Sequence, residues 1–392
     1  MTTEQTPDPV RPSALPAFVP LAGVTVVAVE QAVAAPLCTA RLVDAGARVI
    51  KVERAGGDFA RGYDRAAAGD SSYFAWANHG KESIVLDLKT EADAALLHRI
   101  VAAADVFIQN LAPGALTRAG FGSEQLRSLH PRLITCDISG FGEVGDLAAK
   151  KAYDLLIQAE SAMIAISGGP GELGRIGVSV CDISTAITAY AAVLEALLAR
   201  GTTGVGAGLQ VSLFDTAAEW MTVPLVQHLA TGAGPTRVGL RHPSIAPYGA
   251  YRTADDSLTL IAVQNEREWV RLCTEVLGRP DLARDPRFGS NTDRVEHRVQ
   301  LEHELQSSIG EVDRTTLQDR LAHAGVAYGA VNTLDGLAAH AALRHRTVTA
   351  TTGATVDLPA HPVRWADHGP PEAGRVPDIG AHTDALRHEF TP

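Results

Sequence analysis

From Gly23 onward the chain alternates between two hydrophobic periodicities, and that alternation restricts its fold more than any other feature. GVTVVAV, RVIKVE, ESIVLDL, DVFIQN and RLITCDISGF are short runs rich in β-branched residues, whereas APLCTARLVDAGA and TEADAALLHRIVAAAD repeat their apolar positions every three to four residues. Parallel strands need long crossovers, and a strand covered on both faces is apolar nearly throughout. The pattern predicts an α/β protein with a Rossmann-like large domain and a mostly parallel sheet.

A helix is expected to run from Asp182 to about Arg200, halted by GTTGVGAG, with LQVSLFD returning as a strand. The stretch TGAGPTRVGLRHPSIAPYG breaks the pattern with glycine and proline. Beyond it lie a strand, SLTLIAV, and three helical stretches, NEREWVRLCTEVLG, TDRVEHRVQLEHELQSSIG and TTLQDRLAHAG, which together predict a smaller α+β domain. The expected division is an N-terminal arm over 1–20, the first part of the large domain over 21–215, the small domain over 226–325, and a return to the large domain over 326–392 through VAYGAVN and LPAHPVRW.

Charge narrows the function. Lys and Arg total 34 against 45 Asp and Glu, a net charge of -11, which argues against nucleic-acid or anionic-membrane binding, so an anionic ligand needs a local basic pocket. Cys38, Cys136, Cys181 and Cys273 fit neither a zinc spacing nor a disulfide framework, and point to a reducing cytoplasm. The opening MTTEQTPDPVRPSALPAF lacks a signal-peptide layout, and the most apolar helical run, Ala186 to Ala199, is too short to span a bilayer. A soluble cytoplasmic protein is expected. The 14 histidines form no metal motif. GTTGVGAG follows a helix and precedes a strand, the reverse of a phosphate-cradling loop, and the first strand ends VEQAVAAP without a dinucleotide fingerprint. No metal and no permanently bound cofactor is expected.

Candidate chemistry centres on Asp182, in RIGVSVCDISTAITAY. Its place before a long Ala-rich run suits a helix cap, the commoner role for a carboxylate there, with a carboxylate nucleophile as the alternative. Basic residues recur after strands: Arg54 after VIKVE, Lys89 after IVLDL, Arg118 after DVFIQNLAPGAL, and Lys150 and Lys151 before Tyr153 and Asp154. In an open α/β sheet such positions converge on the crevice beyond the carboxyl ends of the strands.

The segments GVTVVAVEQAVAAPLCTARLVDAGARVIKVER, SIVLDLKT, QNLAPGALTRAGF, RVGLRHPSIAPYGAYRTAD and IGAHTDAL resemble the family III CoA-transferases, from Gly23 to about Leu386. That family includes formyl-CoA transferase, carnitine CoA-transferases and the related α-methylacyl-CoA racemases. The resemblance implies a large domain made from both chain ends, a small domain, and two subunits interlocked like links in a homodimer. It makes Asp182, at the end of a strand, the covalent nucleophile, with CoA as a substrate. It further implies that Arg54 and Lys89 contact the CoA nucleotide, with Leu86 beside the adenine. Asn110, Leu111 and Arg118 match a further nucleotide-binding turn, while Lys151, Tyr153 and Asp154 match a segment near the pantetheine and the active carboxylate.

Two departures bear on substrate. Val33 stands where formyl-CoA transferase has a Gln, and RHPSIAPYG replaces its glycine loop, which disfavours formate and oxalate. Tyr153 stands where the racemases place a His, which removes half of a two-base apparatus. RHPSIAPYG resembles the branch acting on small dicarboxylates such as succinate, mesaconate, citramalate or itaconate. There Arg241 or His242 either holds a remote carboxylate or is an exposed charge on a Pro-bounded loop. The expected function is CoA transfer between an acyl-CoA and a small carboxylic acid. The alternatives are an acyl-CoA racemase or epimerase and a non-catalytic CoA-binding protein.

Overall fold

The computed structural model describes residues 18–369 and 371–391, so most of the arm expected over 1–20 lies outside the described residues. The described residues divide into two compact units, one of 18–161, 177–220 and 344–391, the other of 162–176 and 221–343.

The first unit is built on six parallel strands: β1 Thr25–Val29, β2 Arg48–Glu53, β3 Glu82–Val85, β4 Val106–Gln109, β5 Ile134–Ser139 and β6 Gly208–Ser212. Their spatial order is β3-β2-β1-β4-β5-β6, the doubly wound arrangement, with its switch point between β1 and β4. The helices of this unit are α1 Ala34–Asp44, α2 Ser72–Asn78, α3 Glu91–Ala102, α4 Ala115–Arg118, α5 Ser123–Leu129, α6 Asp154–Glu160, α8 Val180–Thr203, α9 Leu213–Trp220 and α16 Thr383–Glu389. Leu96, Leu97 and Ile100 of α3, Leu126 of α5 and Leu386 of α16 pack with Val27, Ile50, Ile84 and Phe107 of the sheet in one buried cluster. α1 packs against α8, which also lies on β5 and β6.

The returning segment completes this unit. β3 is an edge strand, whose free N–H groups invite mispairing. Ser83 N–H donates to His382 Nδ1 (3.0 Å) and Val85 N–H to Thr383 Oγ1 (3.1 Å), so two side chains from the far end of the sequence occupy that edge. The same segment contributes an antiparallel hairpin, β10 His345–Thr349 with β11 Thr355–Pro359.

α8 is longer than the sequence suggests. Its 24 residues run from Val180 to Thr203 and are closed by Gly204, whose left-handed φ of 74° suits a residue without Cβ. At that length it is apolar enough to cross a membrane, so length does not exclude a span. Part of its apolar surface is buried, with Cys181, Ala186, Ala189 and Val193 enclosed within the unit, while Ile187 and Leu198 are exposed.

The second unit holds an antiparallel sheet of β7 Tyr248–Arg252, β8 Leu258–Ala262 and β9 Ala327–Ala330. Its helices are α7 Met163–Ile166, α10 Thr222–Thr231, α11 Glu266–Arg271, α12 Asn291–Glu296, α13 Arg298–Ile309, α14 Arg314–His323 and α15 Leu334–Ala338. Trp269 and Phe288 meet edge to face in its core, and the buried Arg294 is held by Glu266 at 2.7 Å. Two boundaries differ from expectation. VAYGAVN does not open the return to the large domain: Ala327 pairs with Ala262, a third strand completes the sheet, and the return begins at Arg344. The segment 162–176 belongs here as well, tied by the Gly239 N–H donating to Gly168 O and by Arg237 Nη1 donating to Ala165 O.

Candidate active site

The carboxyl ends of β1, β2 and β3 and the turn after β4 enclose a crevice of about 600 Å³. It brings together Arg54, Leu86, Lys89, Leu111 and Arg118, five residues drawn from three separate stretches of sequence. Arg54 directly follows β2 and donates from Nε to Gly57 O (3.1 Å). Arg54, Lys89 and Arg118 are exposed and lack a carboxylate partner among the described residues. Leu86 supplies a buried apolar wall. Unpaired cations beside an apolar wall suit a phosphate joined to a flat base.

Asn110 is placed differently. It does not line the crevice but bridges the switch point: its Oδ1 accepts from Gln31 N–H (2.9 Å) and its Nδ2 donates to Gln31 O (2.8 Å). Asn110 therefore holds the loop after β1, and Gln31, which sequence reasoning missed, faces the crevice. Within that loop Ala32 has a φ of 64°, a strained value for a residue with Cβ. Its N–H donates to Asp58 Oδ1 (3.1 Å), and Asp58 Oδ2 is in turn 3.0 Å from Lys51 Nζ. Lys51 is fully buried, as is Lys81, which reaches Glu30 Oε1 at 2.6 Å. Buried charges tolerate such a place only when paired, so this network fixes the loop rigidly.

Asp182 is the third residue of α8, and no strand leads into it. It does not cap that helix. The capping carboxylate is Asp154, the first residue of α6, whose Oδ1 accepts from Cys181 N–H (2.7 Å) and Asp182 N–H (3.4 Å). Asp154 also accepts from Gln158 Nε2 (2.7 Å). The sequence signal for an N-terminal carboxylate was sound, but the donor groups are satisfied by a residue 27 positions earlier. Asp182 is left with its side chain uncommitted to the helix. Burial first, then the negative charge of Asp154, pushes its carboxyl up to about 7.

Tyr153 precedes α6 with an exposed ring, and Lys151 is exposed beside it. Tyr63, which sequence reasoning also missed, lies close to the site: burial, then the charges of Asp58 and Asp182, push its phenol up to about 12. In the second unit Arg241 is paired with Glu302 (2.9 Å). His242 stacks on Tyr248 and accepts at Nδ1 from Ser244 N–H (3.1 Å), which leaves its proton on Nε2. Val33 is buried at the start of α1. No cluster of three metal-ligating side chains occurs among the described residues, and the four cysteines are buried free thiols.

Residues 21–383 match CoA-transferase family III. The chain is 36% identical over 375 residues to acetyl-CoA:oxalate CoA-transferase of Acetobacter aceti, covering 95% of this chain and 96% of the relative. It is 34% identical over 350 residues to succinate–glutarate CoA-transferase of Agrobacterium fabrum, covering 87% and 86%. Among solved structures, a CAIB/BAIF family protein from Brucella suis superposes with a TM-score of 0.82 at 32% identity, over 95% of this chain and 100% of that one. The chain belongs to CoA-transferase family III and is an enzyme of that class.

Proposed function

We propose that this enzyme moves CoA between an acyl-CoA and a small dicarboxylic acid, with Asp182 as the covalent station. The observation that carries this reading is the half-buried Asp182 carboxyl, free of capping duty and raised beside Asp154. A raised carboxylate is the more nucleophilic one once ionised.

An Asp182 oxygen attacks the thioester carbonyl, the C–S bond breaks and CoA leaves as thiolate, giving a mixed anhydride. The thiolate then attacks the Asp182 carbonyl, expelling the donor acid as a carboxylate and leaving an aspartyl-CoA thioester. An acceptor carboxylate attacks that thioester and releases the thiolate again. Attack of the thiolate on the acceptor's acyl carbon frees Asp182 and the new acyl-CoA. The anhydride preserves the acyl group's activation, which a serine ester would not. Arg54, Lys89 and Arg118 hold the nucleotide end, with Leu86 and Leu111 against the base, while Lys151 and Tyr153 stand at the pantetheine end.

The relatives named for oxalate and for succinate and glutarate support a dicarboxylate. An oxalate-named relative at 36% identity keeps oxalate among the candidate acids. Because Arg241 is engaged by Glu302, the Nε2–H of His242 is the better donor for a remote carboxylate. The test is incubation with acyl-CoA donors and free acids, reading new thioesters by mass spectrometry. Deuterium uptake at the α-carbon without acid exchange would instead establish a racemase. Failure of hydroxylamine to trap an acyl-enzyme, with no thioester formed, would leave a non-catalytic CoA binder.

Replacing Arg54 or Lys89 by Ala is expected to raise the KM for acyl-CoA about tenfold while kcat changes far less, since contacts to a remote nucleotide act as anchors. Steady-state kinetics at varied acyl-CoA read this directly. Unchanged KM in both variants would put the nucleotide elsewhere.

The same reading includes an interlocked homodimer. α10 buries none of its residues, and Val223, Leu225, Val226 and Leu229 are each at least half exposed. Such an apolar stripe calls for a cover, which a second subunit supplies. The protein is expected to remain dimeric in light scattering and on dilution to nanomolar concentration, with labelled subunits exchanging only under denaturing conditions. An active monomer, or rapid exchange in native buffer, would dispose of the interlocked form.

A further inference from the structure

The first unit contains a second cavity, of about 720 Å³, which shares no lining residue with the crevice at the strand ends. Its walls are the end of α1, Tyr190 of α8 and the returning segment between Arg344 and Ala373. Among the described residues four arginines reach it, Arg41, Arg344, Arg346 and Arg364, with Asp44 the one acid in the lining. In a protein with a net charge of -11 this is a strong local reversal.

The acid is already engaged, because Arg346 Nη1 lies 2.6 Å from Asp44 Oδ1. Arg344 donates from Nη2 to the carbonyls of His361 (2.7 Å) and Pro362 (3.2 Å). Arg41 and Arg364 have neither an ion pair nor a side-chain hydrogen bond among the described residues. Arg41 is the telling one, since its Nε is buried without a partner, as is the Nε of Arg346. Arg41 is half-buried, and burial outweighs the charge of Asp44 to hold its guanidinium below its ordinary value, so a bound anion stabilises its charged form. Beside these cations the rings of Phe18 and Trp365 meet at 4.2 Å, and His368 lies 5.0 Å from Phe18. Trp365 remains 45% exposed, so it has ring surface available for stacking.

We infer that this cavity binds a nucleoside phosphate, the phosphate pairing with Arg41 and Arg364 and the base stacking on the Phe18–Trp365 pair. Guanidinium forks match phosphate oxygens, aromatic faces accept any base, and the volume suits a ligand of that size. This site lies beyond the acyl-CoA chemistry proposed above and does not depend on it.

The test is isothermal titration calorimetry of the full-length protein with AMP, alone and with saturating CoA, and with inorganic phosphate and adenosine as separate arms. Binding of AMP is expected to persist in the presence of CoA. It should weaken about tenfold in Arg41→Ala and in Trp365→Ala, with phosphate and adenosine each binding more weakly than AMP. Arg364→Ala, at an exposed position, provides a variant whose folding is not at risk. AMP displaced completely by CoA would place it in the crevice and overturn the inference. So would AMP affinity unchanged in Arg41→Ala and Arg364→Ala, or phosphate binding as tightly as AMP. Loss of the dimer in Arg41→Ala, with no AMP bound by the wild type, would show that a carboxylate of a second subunit fills the cavity instead.

Discussion

Asp182→Ala is expected to lower CoA transfer by about 10⁴-fold or more while leaving CoA affinity close to that of the wild type. In the proposed mechanism the substitution removes the atom on which both covalent intermediates form, whereas the cations proposed to hold the nucleotide stand on other elements, after β2, after β3 and in α4. Asp182→Asn should behave alike, because an amide oxygen is a poor nucleophile toward a thioester. Rapid quench with radiolabelled acyl-CoA reads the acyl-enzyme directly, and calorimetry reads CoA binding. Transfer near the wild-type rate in a freshly prepared Asn variant would remove Asp182 from the mechanism.

The second large effect concerns pH, and activity and stability move in opposite directions. The Asp182 carboxyl titrates near 7 in the folded protein against an ordinary value of 3.8. As pH rises from about 4 to about 7, the unfolded chain releases this proton while the folded one retains it, so folding stability falls across that window. Above 7 the folded protein carries the full penalty of a buried charge beside Asp154, on the order of a few kcal/mol at roughly 1.4 kcal/mol per pH unit. Asp182→Asn, which carries no charge, should therefore be more stable than the wild type at pH 8, with the advantage fading toward pH 4. Denaturant melts at the two pH values measure this. An Asn variant less stable than the wild type at pH 8 would mean that the carboxylate is accommodated without strain.

With Asp182 as the proposed nucleophile, activity needs the ionised form, so kcat/KM should rise with pH along a limb near 7. Asp154→Asn keeps an acceptor oxygen for the Cys181 N–H and removes the second negative charge. The limb should then move to lower pH but stay above the range of an ordinary aspartate, since burial is the larger cause. A limb that does not move would show that Asp154 does not act on Asp182 through its charge.

The strand runs from Val26 to Ile138 were legible because buried parallel strands are apolar on both faces, a property each residue declares for itself. The cations of the crevice were legible for a related reason: a position just after a strand is fixed by local order, whatever the rest of the chain does. That Asn110 ties Gln31 in place was not legible, because its partner is 79 residues away and nothing local marks it. The capping of α8 was misread on the same ground, since Asp154 reaches it from another helix. Tyr63 was missed because an aromatic ring in a Gly- and Arg-rich loop has no periodicity to betray it. VAYGAVN was expected to open the return to the large domain and instead supplies β9, because which sheet a segment joins depends on partners that composition does not name.

The closing of the β3 edge by His382 and Thr383 sets a condition on synthesis. The two halves of that contact are 299 and 298 residues apart, and at the usual pace of a ribosome roughly 15 to 60 s separate their emergence. During that interval a nascent chain carries a sheet with an open border and a second unit already translated in between. The first unit therefore reaches its final form late, when its last helix arrives, and chaperone occupancy of the nascent chain should persist until residues beyond His382 have left the exit tunnel.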